Sequence, residues 1–462
     1  MLDKNFVAKI LMKSCETGGD FAEIFYEKSK RQGIFLTKAQ VRSISSEFCS
    51  GIGIRIFKND FFVYLSTNNC SEQNIFSLLD KVKEILSENK LIQNINFSVQ
   101  LTENMCKNSF CAFSFSKNDK IDFLRRSSLA IAAKSNKIAM VDASAVEKSR
   151  NILIANSEGL WCEDKQLYNY FLVKPFAEDG NNRFDGYFSR GAQKSADFYL
   201  NTNYEQDFEN LVETSVDMLR AEPCPAGKMP VVIAADRGAV LFHEAIGHSL
   251  EATHVAKNNS LFSGRKGQKI AHENVTLVDD ATIANNWGSF NVDDEGNVPQ
   301  RNLLIENGVL KNYLIDRFHA KLMGEKPNGC SRRHDYTFAP TSRMSNTLLL
   351  AGKNTPEEII ASVKNGVYVA DFTGGSVNPA TSAFNFSAKR AYKIENGKIT
   401  KPLKGVKLIG KSEDILQKIV MVGTDFKLAK GASVCGSVSG RIPVSHGMPT
   451  VKISEITVGG QK

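Results

Sequence analysis

Two histidines five residues apart constrain the local fold of this chain more than any other feature. In Phe242-His243-Glu244-Ala245-Ile246-Gly247-His248 they bracket a carboxylate, shortly after an apolar run, Met229 to Ala235, that reads as a buried strand. Each residue of an α-helix turns about 100°, so four residues nearly close a turn whereas five leave the rings about 140° apart. Both imidazoles reach one cation only if the helix widens, bulges or breaks, and Gly247 is the natural place for that. With two imidazoles on a metal, Glu244 stands where a general base acting on water is needed, and metal-dependent hydrolysis becomes the leading expectation. The competing reading is packing alone, one histidine buried in a helix and the other capping it.

A third protein ligand has to come from elsewhere, and several residues qualify. His254 follows His248 by six residues, as in the three-histidine zinc-protease pattern, but Glu251 stands where that pattern has glycine. Glu251 itself, three residues past His248, could turn toward the ion or sit as an ordinary helical glutamate. Far downstream, Cys435 lies in Gly431-Ala-Ser-Val-Cys-Gly-Ser437, a small-residue loop whose backbone can approach a site closely. Spacing does not choose among them.

The 462 residues exceed what one core usually organises, which predicts two domains, each able to bury a full apolar interior. Hydrophobic content of 42% with 23% charged residues excludes a disordered chain. The formal charge of +8 is spread along the sequence in short clusters such as Lys28-Ser-Lys-Arg31, Arg125-Arg126 and Arg332-Arg333, without the concentrated stripe of a nucleic-acid binder. Nucleic acid is therefore not an expected partner. No apolar run reaches the roughly 18 to 20 residues of a membrane span, and Met1-Leu-Asp-Lys-Asn-Phe6 lacks a basic segment followed by a signal core, so a cytoplasmic protein is expected. The nine cysteines, including Cys106 and Cys111, form no C-x-x-C pair and no disulfide framework.

Periodicity divides the chain. An amphipathic helix through Phe6, Ile10, Leu11 and Cys15 stops at Gly18-Gly19, and short strands follow at 21–27, 33–37, 51–57 and 61–65. Helices fit 71–87 and 119–135, and strands fit 141–143, 152–155 and 166–173. A helix from Tyr204 through Leu219 gives way to Glu222-Pro-Cys-Pro-Ala-Gly227, whose prolines cannot continue it. The expected architecture is α+β in two domains: 1–222 with an antiparallel sheet and helices, and 223–462, sheet-rich and carrying the metal-site helix. In the second, Asp236 is the expected N-cap of that helix, short strands fit 276–280, 303–308, 347–350, 366–369 and 451–454, and one helix fits Pro356 to Asn365.

Taken together, these segments resemble the TldD branch of the TldD/PmbA metallopeptidases. The resemblance rests on Phe242 to His248 continuing into Ser-Leu-Glu-Ala252, then Val278-Asp-Asp280, Asp293-Asp-Glu-Gly296, Ile305-Glu-Asn-Gly308, Ser331-Arg-Arg333, Arg343-Met-Ser-Asn346, and Cys435-Gly436 with Gly447-Met-Pro449. It covers the second domain throughout and the first more loosely, through Gly51-Ile-Gly-Ile-Arg55. It implies one zinc ion per chain held by His243, His248 and the thiolate of Cys435, with Glu244 activating water, and so favours Cys435 over His254. It also implies hydrolysis of unfolded or extended peptides, and a dimer with a PmbA/TldE-type subunit or with a second copy. An edge strand could recognise such peptides through main-chain hydrogen bonds, and Arg332, Arg333 and Arg343 are candidates either for substrate carboxylates or for structural ion pairs. The alternative is a non-catalytic PmbA-like partner or scaffold, which has no need of all four site residues. After Cys435-Gly436 the family often shows a lysine and then a glycine-glutamine pair, where this chain has Ser437, Val438, Ser439, Gly440 and Arg441. The separation from Cys435 to Pro449 is kept, but no substrate contact carries over from those replaced positions.

Overall fold

The computed structural model describes residues 2–86, 94–100 and 113–460, so Cys106 and Cys111 lie outside the described residues. The strands up to Ala192 form one sheet, in which Phe61–Thr67, Gln40–Lys58, Phe21–Thr37, Ile138–Asn156 and Leu160–Asp179 lie side by side and antiparallel. The pairs of short strands expected at 21–27 and 33–37, and at 141–143 and 152–155, are each one long strand. The polar residues between them are not turns. Glu27 and Arg150 form an ion pair across neighbouring strands, so charge is placed on the sheet itself instead of in a loop.

Alternation along these strands sorts the side chains by face. Ile24, Tyr26, Leu153 and Trp161 pack under Lys4–Glu16 and Glu72–Leu86, and on the same face Ile34, Leu36, Ala143 and Phe171 pack under Lys117–Ala133 and Glu205–Asp217. Buried Leu, Ile and Phe side chains of this kind contribute about 1.5–3 kcal/mol each. Phe25, Ile152, Ile154 and Cys162 emerge on the opposite face and meet Val292 and Tyr336 of the later part of the chain. That contact is reinforced by buried charge, since Arg55 pairs with both Glu23 and Glu295.

From Glu222 onward the strands join other sheets. Gly227–Ile233 runs parallel to Asn365–Val377 on one side and antiparallel to Val451–Gly459 on the other. A second sheet has Arg301–Glu306, Leu277–Asp280, Asn346–Leu349 and Gly440–Met448 in that order. One apolar core joins the two, and Phe242, Ala245, Ile246 and Leu250 are buried in it. The expected helix at 356–365 ends at Ala361, because Asn365 already pairs with Glu395 as a strand. Asp236 does stand at the N-cap position, ahead of the turn Arg237–Ala239, but it does not cap through its side chain. It has φ +78°, and its N–H donates to the Met448 carbonyl at 3.3 Å. The chain is thus tied to the neighbouring strand at the point where the helix was expected to start.

Candidate metal centre

Beyond Asp236 the chain changes winding four times: a 3₁₀ turn at Arg237–Ala239, α at Val240–Phe242, π at His243–Gly247 and 3₁₀ at His248–Leu250. The π segment is the wide turn that a five-residue separation demands, since its wider winding brings positions five apart onto one face. The rings of His243 and His248 meet with centroids 5.3 Å apart. Gly247 lies in this turn at φ −54°, so it is not needed for an unusual backbone conformation. A side chain there would collide with Met344 Sδ. Glycine is required for the close approach.

The cysteine arrives from the far end of the chain. Ser433–Ser437 pairs with Gly440–Met448 in a hairpin closed by Val438 and Ser439. Cys435 is buried on one face of it and Val434 is exposed on the other. Ligand atoms of His243, His248 and Cys435 all lie within 4.8 Å of one another. Cys435 Sγ is 3.3 Å from His248 Nε2, and Glu244 Oε2 is 3.6 Å from the same nitrogen. His254 is not in this group.

Each ring is held by its other nitrogen. The Asp279 carboxylate accepts from the Thr347 hydroxyl at 3.3 Å, which leaves the Thr347 oxygen to accept from His243 Nδ1–H at 3.2 Å. His243 Nε2 then carries the lone pair, and it is buried without a hydrogen-bond partner. Burial, followed by the neighbouring His248, lowers the His243 pKa well below its ordinary value and keeps this ring neutral. His248 donates from Nδ1 to Glu251 Oε2 at 3.1 Å. Burial opposes charge on this ring, but the Glu251 carboxylate and Cys435 sulfur outweigh it and raise its pKa well above the usual range. His248 Nε2 and the Cys435 sulfur thus face each other at 3.3 Å, where a cation can take the place of a shared proton.

An unpartnered buried imidazole nitrogen, a second imidazole fixed by a carboxylate and a thiol fit a borderline-soft divalent ion such as zinc. Glu251, one of the residues considered as third ligand, is instead turned to the outer nitrogen of His248. The three arginines considered for substrate are buried and already engaged. Arg343 donates to the carbonyls of Cys435 at 3.0 Å and Gly440 at 3.1 Å, gripping both arms of the hairpin, and its Nε is 3.7 Å from Glu251. Arg332 donates to the carbonyls of Met344 and Pro443, and Arg333 to the Asp294 carbonyl and the Tyr64 oxygen. Thr347 and Asp279 are supporting residues that spacing did not single out, although Asp279 sits in a segment that carried the family resemblance.

Family models place this chain in a known class. The C-terminal domain of PmbA/TldA metallopeptidases matches residues 226–460, domain 1 matches 22–86 and the central domain matches 112–221. The chain belongs to this PmbA/TldD metallopeptidase family. A protein named metalloprotease TldD homolog from Buchnera aphidicola (subspecies Acyrthosiphon pisum) is 32% identical over 97% of this chain and 95% of its own length. Another of that name from Haemophilus influenzae is 33% identical over 96% and 93%. A zinc metalloprotease TldD homolog from Saccharolobus solfataricus is 25% identical over 98% and 96%. The fold matches TldE from Thermococcus kodakarensis with a TM-score of 0.77, covering 98% of this chain and 100% of that one at 18% identity. Among the described residues no helix is long and apolar enough to cross a membrane.

Proposed function

We propose that this chain is a zinc-dependent peptidase that cleaves unfolded or extended peptides. The observation that carries the reading is the convergence of His243, His248 and Cys435 within 4.8 Å, with the Glu244 carboxylate 3.6 Å from His248 Nε2. When bound, zinc supplies Lewis acidity, polarising a peptide carbonyl and easing the deprotonation of water. His243 and His248 would hold it by their Nε2 atoms, with Thr347 and Glu251 fixing their rings, and Cys435 would hold it by its sulfur. Glu244 takes the proton of the attacking water at its carboxylate and passes it to the leaving nitrogen. Burial, aided by Glu251 and opposed by His248, raises the Glu244 pKa, which suits a group that must both accept and release a proton.

An extended substrate has a docking line beside Cys435. Ser433–Ser437 pairs with Gly440–Met448 alone, so its other edge is free among the described residues. Val434 stands opposite Pro443, which has no N–H, and the two-residue turn makes Ser437 and Gly440 a bonded pair. The N–H and C=O of Val434 and Gly436 therefore point away from the partner strand, free to pair with a peptide in a sequence-tolerant way. The TldE fold match supports a PmbA/TldE-type subunit or a second copy as partner. Metal analysis and cleavage assays test the reading together. The chain should carry about one zinc, cleave a reduced and unfolded protein faster than its folded form, and lose roughly 10²–10⁴ in kcat as Glu244→Gln while keeping the ion. Absence of stoichiometric zinc, preference for folded substrate, or a wild-type rate for Glu244→Gln defeats it.

A further inference from the structure

The hairpin that carries Cys435 has a second face, and it roofs a cleft of about 560 Å³ against the N-terminal sheet. The floor is the sheet face not covered by helices, where Lys148 and Arg150 stand beside Tyr168 and Tyr170 on the next strand. The roof is Trp287, Phe290, Arg332 and Val434. Trp287 packs edge-on against both tyrosines, with centroids 5.4 and 5.6 Å away, and its indole N–H donates to the Ser433 carbonyl at 2.7 Å. Roof and hairpin thus form one piece.

The charge in this cleft is unbalanced. Six arginine and lysine side chains line it, against four carboxylates. Asp293 is buried and turned inward, both its oxygens accepting from N–H groups of Glu295, Asn297 and Ser331, and burial with the neighbouring Glu295 raises its pKa. Arg150 is matched by a two-point contact with Glu27, and Arg31 by Glu47. Arg332 donates only to backbone carbonyls and lies over the Phe290 ring. Lys148 lines the cleft with no carboxylate in ion-pair contact among the described residues; burial and Arg150 press its pKa down, and Glu27 and Asp335, acting from beyond contact, offset this only in part. Such an ammonium gains from an incoming anion.

We propose that this cleft receives a carboxylate of the bound peptide, with Lys148 as its counter-charge, Arg332 adding to the positive field, and the apolar stem of the same residue packed on Tyr168, Trp287 and Phe290. The carboxylate is an acidic side chain or the C-terminal carboxylate. This rests on the peptidase reading, because it takes the free edge of Ser433–Ser437 as the docking line. Consecutive residues of that strand face opposite ways, Cys435 toward the centre and Val434 toward the cleft. A peptide strand laid alongside shares the alternation, so the residue next to the one at the centre turns its side chain to the cleft.

The test uses the full-length zinc-loaded chain as Glu244→Gln, which stops turnover so that binding is read at equilibrium. Three dye-labelled ten-residue Ala/Ser peptides are compared by fluorescence anisotropy: one with a central Glu and an amidated end, one with Gln and an amidated end, and one with Gln and a free C-terminal carboxylate. At least one carboxylate peptide should bind about tenfold tighter than the neutral one, and which one does identifies the source. Lys148→Met in the same background should bring the affinities to within about twofold, while Lys148→Arg keeps the preference. Equal affinities for all three peptides, or a preference that survives Lys148→Met in a chain with an unchanged Tm, overturns the proposal. If the wild-type chain cleaves the neutral and acidic peptides with equal kcat/KM, the cleft assignment fails and the peptidase reading stands. If no peptide is cleaved yet the preference follows Lys148, the cleft assignment stands and the peptidase reading fails.

Discussion

Replacing Glu251 isolates the support of a proposed metal ligand from the ligand itself. Its side chain is 1% exposed, one oxygen accepts from His248 Nδ1 at 3.1 Å and the other lies 3.7 Å from Arg343 Nε. Glu251→Gln keeps the volume and an acceptor for the ring N–H, but removes the negative charge that favours a donating Nδ1–H and balances Arg343. Outer carboxylates of this kind are worth about 10–100-fold in metal affinity, which is about 1.4–2.7 kcal/mol and agrees with about 1.5–3 kcal/mol for a hydrogen bond to a charged group. Glu251→Leu is a poorer probe, because it strands Arg343 as a buried uncompensated charge at about 3–5 kcal/mol of stability. Competition for zinc against a chromophoric chelator at pH 7.5, with urea unfolding in parallel, separates affinity from folding. If Glu251→Gln binds zinc within twofold of wild type, the carboxylate does not orient His248 and the relay from Glu251 through Arg343 to the Cys435 carbonyl is incidental.

Cys435→Ser should lose the ion while His254→Ala keeps it, as read by elemental analysis of the purified chains; the reverse result restores a three-histidine site. Gly247→Ala should collide with Met344 Sδ, cost about 1–3 kcal/mol and lower zinc occupancy, and adding Met344→Ala should recover part of both; an unchanged Tm and zinc content for the single variant contradicts the close-approach argument. For Glu27, burial raises the pKa but the contact with Arg150 outweighs it, so the folded pKa lies below the unfolded one. The stability it contributes is complete above the unfolded value of about 4.5 and is lost as pH falls through the folded value. Urea midpoints should fall through that window in wild type and flatten in Glu27→Gln, and equal slopes for both chains refute the assignment.

The sequence made the need for a wide turn between His243 and His248 legible, because five residues and a helical repeat of 3.6 are incompatible with one shared ion. It did not reveal how that turn is held. Met344 against Gly247 and Thr347 against His243 are contacts across about a hundred residues of chain, and spacing carries no information on such partners. Glu251 is ambiguous for a related reason: a carboxylate three residues from a histidine can reach either ring nitrogen or solvent, and its place between His248 Nδ1 and Arg343 depends on a residue far away in the chain. Helix 356–361 begins at Pro356, as the sequence placed it, whereas its end is set by strand pairing at Asn365, which overrides local propensity. The long strands were read as fragments because charged residues such as Glu27 and Lys28 resemble turn punctuation when their partners on neighbouring strands are unknown.

The sulfur of the centre lies 187 residues after His248 in the chain. During synthesis both imidazoles leave the ribosome long before the thiol exists, and the strand Val451–Gly459, which pins the lead-in strand Gly227–Ile233, comes later still. A nascent or C-terminally truncated chain therefore has only an incomplete donor set. If the proposed ligand set is right, the order of translation itself delays the site until the C-terminal hairpin has been made.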